Sequence, residues 1–324
     1  MTGKVGIKDV ARLAGVSPGT VSKVLKNYPG LSEETRRKVM TVVEEIGFIP
    51  NTVASALSTK MNNRIAIYVF LSDRLRQIDG ISMLYVLGAF EEARKQHLEL
   101  VTVLNALLED LSNEETVRYF HSIHAPTVIV LGSKRDEKIH YMAKEGSLKM
   151  VIVDGPETRE HISTVTIDQA KAQYETADRI CQPGDKVLYL KGLDDHYATE
   201  LRLSGMEKLA ADKHLDLRIE EGDYSEDKAY ETVKSLLDQE FDDIVCASDL
   251  MAIGAKRALP KGSPVRLAGF DGIRLMEYVA DDVITCRQDF YQIGSEAVKA
   301  AARLSQGGKG EQVVVPYSVT TIHR

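Results

Sequence analysis

The chain has 324 residues, enough for two or three folded units, and its 44% apolar and 27% charged residues exclude a disordered or fibrous polypeptide. No apolar run approaches the ~20 residues that cross a bilayer, and Lys4, Lys8, Asp9 and Arg12 break any apolar core that a secretory leader would need, so a cytoplasmic protein with no membrane partner is expected. The net charge of −7 is uneven: residues 1–60 hold nine Lys/Arg against five acids, a surplus of four positive charges, which leaves −11 on the other 264 residues. A basic head on an acidic body predicts a head that seeks polyanions.

In chain order, Ile7, Val10, Ala11 and Ala14 mark one helical face, and Gly15 permits a sharp turn after it. Ser17 is a good N-cap and Pro18 suits a first helical position, where a missing N–H costs nothing. Val21, Val24 and Leu25 give this second short helix an inner face. A third helix follows Ser32, with Glu33 and Glu34 at the positive end of its dipole and Val39, Val42, Val43 and Ile46 turned inward. The pattern predicts a helix-turn-helix unit. Its second helix would lie in a major groove, with Pro18, Gly19 and Lys23 toward base edges and Thr20 and Ser22 toward phosphates. Lys23 can donate to guanine O6/N7. Periodicity by itself fits a small bundle with a solvated basic face equally well.

Asn51 to Lys60 follows Pro50 with weak capping and mixed polarity, and taken alone it reads as a tether. From Arg64 onward, apolar strands alternate with amphipathic helices. Strands are expected at Ile65–Phe70, Leu98–Leu104, Thr127–Leu131, Met150–Val153, Val187–Leu190, Ile244–Cys246, Arg266–Phe270 and Val313–Val319. Helices are expected at Leu84–Lys95, Ser112–His121, Gln169–Ile180, Glu200–Ala211, Glu226–Leu237 and Leu250–Ala258. This βα order predicts an α/β body of doubly wound parallel sheets.

Other constellations are weak. Cys181, Cys246 and Cys286 lie far apart in apolar stretches and read as buried free thiols. His121 and His124 share a helical face but have no third ligand at a metal-binding spacing. Gly307-Gly308-Lys309-Gly310 lacks the ending of a phosphate-binding loop. Nothing selects a catalytic pair, so no enzyme activity, cofactor or metal is expected.

The string Ile7-Lys8-Asp9-Val10-Ala11, with Ala14-Gly15-Val16-Ser17-Pro18-Gly19-Thr20-Val21-Ser22-Lys23-Val24-Leu25, closely resembles the DNA-binding head of the lactose-repressor (LacI/GalR) family. The likeness continues through Leu31-Ser32-Glu33-Glu34-Thr35-Arg36 and Ile46-Gly47-Phe48-Ile49-Pro50-Asn51. Gly6 departs from the frequent Thr that caps the first helix, and Pro18-Gly19 puts little side chain on two base-reading positions. Lys23 and backbone or shape readout then carry more of the specificity. The resemblance implies DNA contacts at Ser17, Pro18, Gly19, Thr20, Ser22, Lys23 and Asn51. It also implies that the linker folds into a short hinge helix on specific DNA, with Ala54 and Leu57 one turn apart and Leu57 wedged into the minor groove.

The body is similar to the same family's effector domain and thus to type I periplasmic sugar-binding proteins, most clearly at Arg202-Leu203-Ser204-Gly205, Ala247-Ser248-Asp249, Gly269-Phe270-Asp271-Gly272 and Arg287-Gln288-Asp289-Phe290. The implied organisation is a head at 1–50, a hinge at 51–62 and a body at 63–324. Its first lobe would span about 63–162 and 290–318, and its second about 163–289 and 319–324, with crossings near His161–Thr164, Asp289–Gly294 and Tyr317–Thr320. The resemblance places an effector in the cleft against Asp79, Ile81, Asp168, Arg202, Ser248, Asp271 and Gln288. A guanidinium and carboxylates engage vicinal hydroxyls in pairs, so the expected ligand is a sugar or sugar phosphate. Asp79-Gly80-Ile81-Ser82 lacks the aromatics common there, which leaves room for a phosphorylated carrier protein acting on the first lobe. The resemblance therefore implies a nucleoid-associated regulator, first of all a repressor of carbohydrate genes, on near-palindromic operator DNA. No leucine heptad follows Val319, so a homodimer is expected.

Overall fold

Short helices are stable only when tertiary contacts cover their apolar faces, and the three among the described residues of the first sixty meet that condition. The computed structural model describes residues 6–25, 30–46, 48, 63–70, 80–132, 135–156, 158–279 and 282–322. The chain divides into two units, Met1–Met61 and Asn62–Arg324. In the first, α1 (Ile7–Ala14) ends at Gly15, whose φ of +67° is the left-handed cap a side chain would strain. α2 (Pro18–Leu25) and α3 (Glu33–Glu45) follow. Val10, Ala11, Val21, Val24, Val39 and Phe48 form their common core. Gly6 has no side chain to cap α1, yet its N–H donates to Asp9 Oδ2 at 3.0 Å, which preserves half of a capping box.

The second unit is an α/β body with two six-stranded sheets. The first sheet holds β1 (Arg64–Val69), β2 (Glu99–Leu104), β3 (Thr127–Leu131), β4 (Lys149–Val153), β5 (Ile162–Thr166) and β11 (Gln312–Val314), in the order β11-β5-β4-β3-β1-β2. The second holds β6 (Lys186–Lys191), β7 (Asp216–Glu221), β8 (Asp243–Cys246), β9 (Arg266–Asp271), β10 (Val283–Gln288) and β12 (Tyr317–Ile322), in the order β12-β10-β9-β8-β6-β7. All pairings are parallel except β10 with β12. Helices α4 (Ile81–Lys95), α5 (Asn113–Ser122) and α6 (Glu137–Glu145) belong to the first lobe. α7 (Gln169–Asp178), α8 (Tyr197–Lys213), α9 (Glu226–Ser235), α10 (Asp249–Ala258) and α11 (Met276–Val279) belong to the second. α12 (Phe290–Ser305) returns to the first lobe and packs on α4, β4 and β5.

The crossings depart from the expected positions. β5 lies wholly in the first sheet, so the chain leaves it after Thr166 rather than at His161–Thr164. Its Ser and Thr residues disguise a strand in which every residue is buried, because their hydroxyls find partners: Ser163 Oγ accepts Glu311 N–H at 3.2 Å and Thr166 donates to Asp154. The expected strand Val313–Val319 is two strands in different sheets, divided at Pro316, so the last crossing precedes Tyr317. The second crossing comes at Asp289, which caps α12 by accepting Gln292 N–H at 2.8 Å.

Two glycine pairings set how closely helices approach. A Cβ on Gly88 would lie 2.0 Å from Tyr291 O, and one on Gly294 would lie 2.1 Å from Tyr85 O, so α4 and α12 cross backbone to backbone. The same device appears at Gly205, where a Cβ would stand 2.1 Å from Ala170 O between α7 and α8. Cys181, Cys246 and Cys286 are buried free thiols. Among the described residues no helix is long and apolar enough to cross a membrane.

Candidate functional site

The head presents one polar face. Ser17 Oγ accepts Thr20 N–H at 3.0 Å and lies 2.9 Å from Thr20 Oγ1, which caps α2 and holds both hydroxyls at its N-terminus. Ser17, Pro18, Gly19 and Lys23 are exposed, and Thr20 and Ser22 half-buried, while Val21 and Val24 face the core. A Cβ on Gly19 would meet nothing nearer than Ser17 Oγ at 3.6 Å, so glycine there is no packing requirement. Asn51, Ala54 and Leu57 lie outside the described residues.

In the body, a cleft opens between the lobes at the carboxyl ends of the strands. Its polar wall is a continuous chain of hydrogen bonds. Thr166 Oγ1 donates to Asp154 Oδ1 at 2.6 Å, and Gln169 Nε2 donates to the same oxygen at 2.9 Å. Gln169 Oε1 accepts Arg202 Nε at 2.8 Å. Arg202 Nη1 donates to Ala247 O at 2.5 Å and stands 3.4 Å from Asp271 Oδ1, which also accepts Gln288 Nε2 at 2.9 Å. The chain begins on the first lobe at Asp154 and ends on the second at Gln288.

Arg202 is 5% exposed, and its guanidinium lies 3.9 Å above the Phe270 ring. Burial works against its charge, but the carboxylates of Asp271 and Asp154 and the Tyr224 hydroxyl outweigh burial and raise its pKa. Asp154, Tyr224 and Asp271 all line the cleft with positive φ, at 54°, 56° and 110°. Side chains at such angles carry strain, which concentrates where a structure holds ligand-facing groups in place. Tyr224 fits only because Gly192 has no side chain, since a Cβ there would stand 2.0 Å from the ring. Tyr85 and Phe290 meet edge to face at 5.2 Å and line the first-lobe side.

The expected effector residues divide. Arg202, Ser248, Asp271, Gln288 and Ile81 line the cleft. Asp168 does not: it is exposed, caps α7 by accepting Lys171 N–H at 3.1 Å, and borders a separate groove. The next residue, Gln169, enters the network instead. Asp79 lies outside the described residues. Ser248 Oγ caps α10 by accepting Met251 N–H at 3.3 Å. Its neighbour Asp249 points into the second lobe, where it accepts Ile273 N–H at 2.8 Å and the Thr285 hydroxyl at 2.7 Å. Burial first, and then the Asp271 charge, push the Asp249 carboxyl up to about 8.

Asp154, Gln169, Tyr85, Tyr224 and Phe290 were not anticipated. Asp154 follows β4, where parallel strands deliver ligand contacts, and that position was the signal available for it. The lobes meet again where Arg135 N–H donates to Asp195 O at 2.6 Å, with the Arg135 guanidinium paired to Glu200 and 4.9 Å above the Tyr197 ring. Among the described residues no three metal-ligating side chains converge.

A helix-turn-helix head joined to a two-lobed body with a cleft between the lobes defines a DNA-binding regulator with a ligand-binding domain. The sequence pattern described as bacterial regulatory proteins, lacI family, matches residues 6–51, and that of a periplasmic binding protein domain matches residues 139–309. The catabolite control protein A of Priestia megaterium is 26% identical over 317 residues, covering 91% of each chain. A lac repressor dimer bound to operator and the anti-inducer ONPF superposes with a TM-score of 0.83 at 24% identity, over 99% of both chains. A complex of the regulator CelR with cellobiose gives a TM-score of 0.68 at 22% identity, over 99% of this chain and all of that one. Residues 6–51 thus carry a lacI-family DNA-binding head and residues 139–309 a periplasmic binding protein domain. The chain is a DNA-binding transcription regulator and not an enzyme.

Proposed function

We propose that the chain is a cytoplasmic repressor of carbohydrate genes, acting as a homodimer on a near-palindromic operator and controlled by a sugar-like effector in the inter-lobe cleft. The observation that carries the effector reading is the buried chain from Asp154 through Gln169, Arg202 and Asp271 to Gln288, which joins both lobes along one wall of the cleft. A ligand that bonds to both ends of this chain stabilises one spacing of the lobes over another, and such differential affinity is what shifts a two-state regulator. In the head, the exposed groups at Ser17, Pro18, Gly19 and Lys23 support base and phosphate contacts from α2. The hinge role of Asn51, Ala54 and Leu57 rests on the family resemblance.

Dimerisation is supported by the outer face of α4. Met83, Leu84, Leu87 and Phe90 follow helical spacing there, and Met83 and Phe90 are 60% and 44% exposed. An apolar stripe of this kind marks an association surface, and one head covers only a half-site.

The test is binding of the full chain to labelled DNA from upstream of its own and neighbouring genes, at fixed salt because phosphate contacts make affinity salt-dependent. A panel of sugars and sugar phosphates is added in turn. One compound shifting the affinity for a near-palindromic site supports the proposal, and the direction separates inducer from co-repressor. Tight binding that no compound shifts overturns small-molecule control and favours a protein co-effector such as a phosphorylated carrier.

A further inference from the structure

The outward side of α2 carries few groups that can read a base. Val21 and Val24 are buried in the core of the head, and Leu25 packs against it. The hydroxyls of Ser17 and Thr20 stand 2.9 Å apart, and Ser17 Oγ also accepts Thr20 N–H, so both serve the helix cap. Pro18, Gly19 and Lys23 are exposed. Lys23 supplies donors, the Pro18 ring offers only C–H groups, and Gly19 offers no side chain. Gly19 and Lys23 are four residues apart and so are neighbours on one face of the helix.

Nothing in the described head asks for glycine at position 19. Its backbone is helical, unlike that of Gly15, whose φ is +67°. A Cβ on Gly19 would meet only Ser17 Oγ at 3.6 Å, an ordinary contact, whereas one on Gly88 or Gly294 would strike a backbone oxygen at 2.0 or 2.1 Å. Glycine also weakens a helix relative to alanine. The missing side chain therefore acts on what faces α2 and not on the packing of the head.

We propose that Gly19 is a silent reading position: at the base pair it faces, the chain accepts all four bases, so its operators form a set that varies there. The proposal rests on the reading of α2 as the major-groove helix and deepens it. A residue near the start of such a helix tells base pairs apart through hydrogen bonds or apolar contact from its side chain. Glycine supplies neither and leaves that base edge to water, which donates and accepts alike. Its neighbour Pro18 distinguishes at most a thymine methyl group.

Selection by the full chain from near-palindromic operators randomised through both half-sites tests this, with bound and unbound DNA sequenced at fixed salt. Gly19→Gln and Gly19→Arg are selected in parallel, because Gln suits adenine and Arg suits guanine. Both residues are better helix formers than glycine and enter open space, so both variants should fold. The two variants should prefer A·T and G·C respectively at the same base pair of each half-site, by about tenfold or more, where the unmodified chain binds all four within about twofold. The other preferences of the half-site should stay unchanged, which shows that α2 keeps its register. The proposal is overturned if the variants gain a preference only where the unmodified chain already has one, or gain none. A half-site in which the unmodified chain discriminates at every base pair overturns it without either variant. If no sequence is enriched at all, the reading of α2 as the major-groove helix falls and the proposal falls with it.

Discussion

Lys23 and Asp249 show how differently two charged residues can act in one chain. Lys23 is exposed on the outer face of α2, beside two positions, Pro18 and Gly19, that offer little side chain. Readout of a guanine by Lys23 is worth about 1–3 kcal/mol, so Lys23→Ala should weaken operator binding by that amount and relax the preference at one base pair. Competition with operators altered one base at a time checks this. An equal loss on every sequence would make Lys23 a phosphate contact. Asp249 is buried instead, and its carboxyl is pushed up to about 8 by burial and by Asp271. A folded-state pKa above the unfolded value means that the native state holds a proton the unfolded chain releases, so this group's stabilising contribution is complete below about pH 4 and is lost as pH rises through 8. Asp249→Asn, isosteric with the protonated acid, should match the wild-type Tm near pH 4 and exceed it by a growing margin up to pH 9. Thermal denaturation across that range reads the difference, and a constant offset would refute the assignment. Arg202, inside α8, and Asp271, at the end of β9, were legible through the family resemblance of the motifs that hold them. Asp168 and Gln169 could not be sorted in advance, because one position decides whether a side chain caps α7 from outside or turns into the cleft.

Elements that bury an apolar face on a regular period were legible, and those that bury polar groups were not. The α4 and β3 patterns read directly from spacing, since one stripe or one continuous apolar run suffices. β5 escaped because its buried Ser and Thr resemble a loop until their partners at Glu311 and Asp154 are known. β7, with DLRIEE, is an edge strand in which no residue is fully buried, so its burial follows no clear alternation. α12 escaped for another reason: its small residues, including Gly294, fit it to a close crossing with α4 that only the folded chain reveals. That crossing also places Tyr85 and Phe290, which sit on the two helices and line the cleft. Gly294→Ala forces a methyl group against Tyr85 O, where neither backbone can yield without moving its helix. Overpacking of this kind costs about 1–3 kcal/mol, so the variant should unfold at lower urea and bind its sugar ligand more weakly. Gly19→Ala, where the space is open, should leave the urea midpoint within about 0.5–1 kcal/mol of wild type, as ordinary helix propensities allow. An unfolding midpoint for Gly294→Ala equal to that of wild type would remove the close crossing as a determinant of the cleft.

Across the whole molecule, the charge imbalance seen in the sequence has a mechanical counterpart. In the function proposed above, the basic head binds a half-site, the acidic body holds the effector cleft, and a second copy of the chain supplies the other head, because a short head with one reading helix has little affinity by itself. The exposed stripe of Met83, Leu84, Leu87 and Phe90 on α4 is the surface that the proposal assigns to that second copy. Leu87→Glu combined with Phe90→Glu places two carboxylates in the stripe. Neither side chain belongs to the buried core of its lobe, so each protomer should keep its fold and unfold at an unchanged midpoint. Sedimentation should then show a monomer where the wild type shows a dimer. Two heads on one body gain about 10²–10⁴-fold through effective concentration, and operator affinity should fall by a factor in that range, while a single half-site binds both proteins equally. Sugar binding to the isolated chains should persist, because the cleft lies within one protomer. If the variant remains dimeric, the interface lies elsewhere. If it becomes monomeric yet keeps full operator affinity, the two-headed account of binding is wrong.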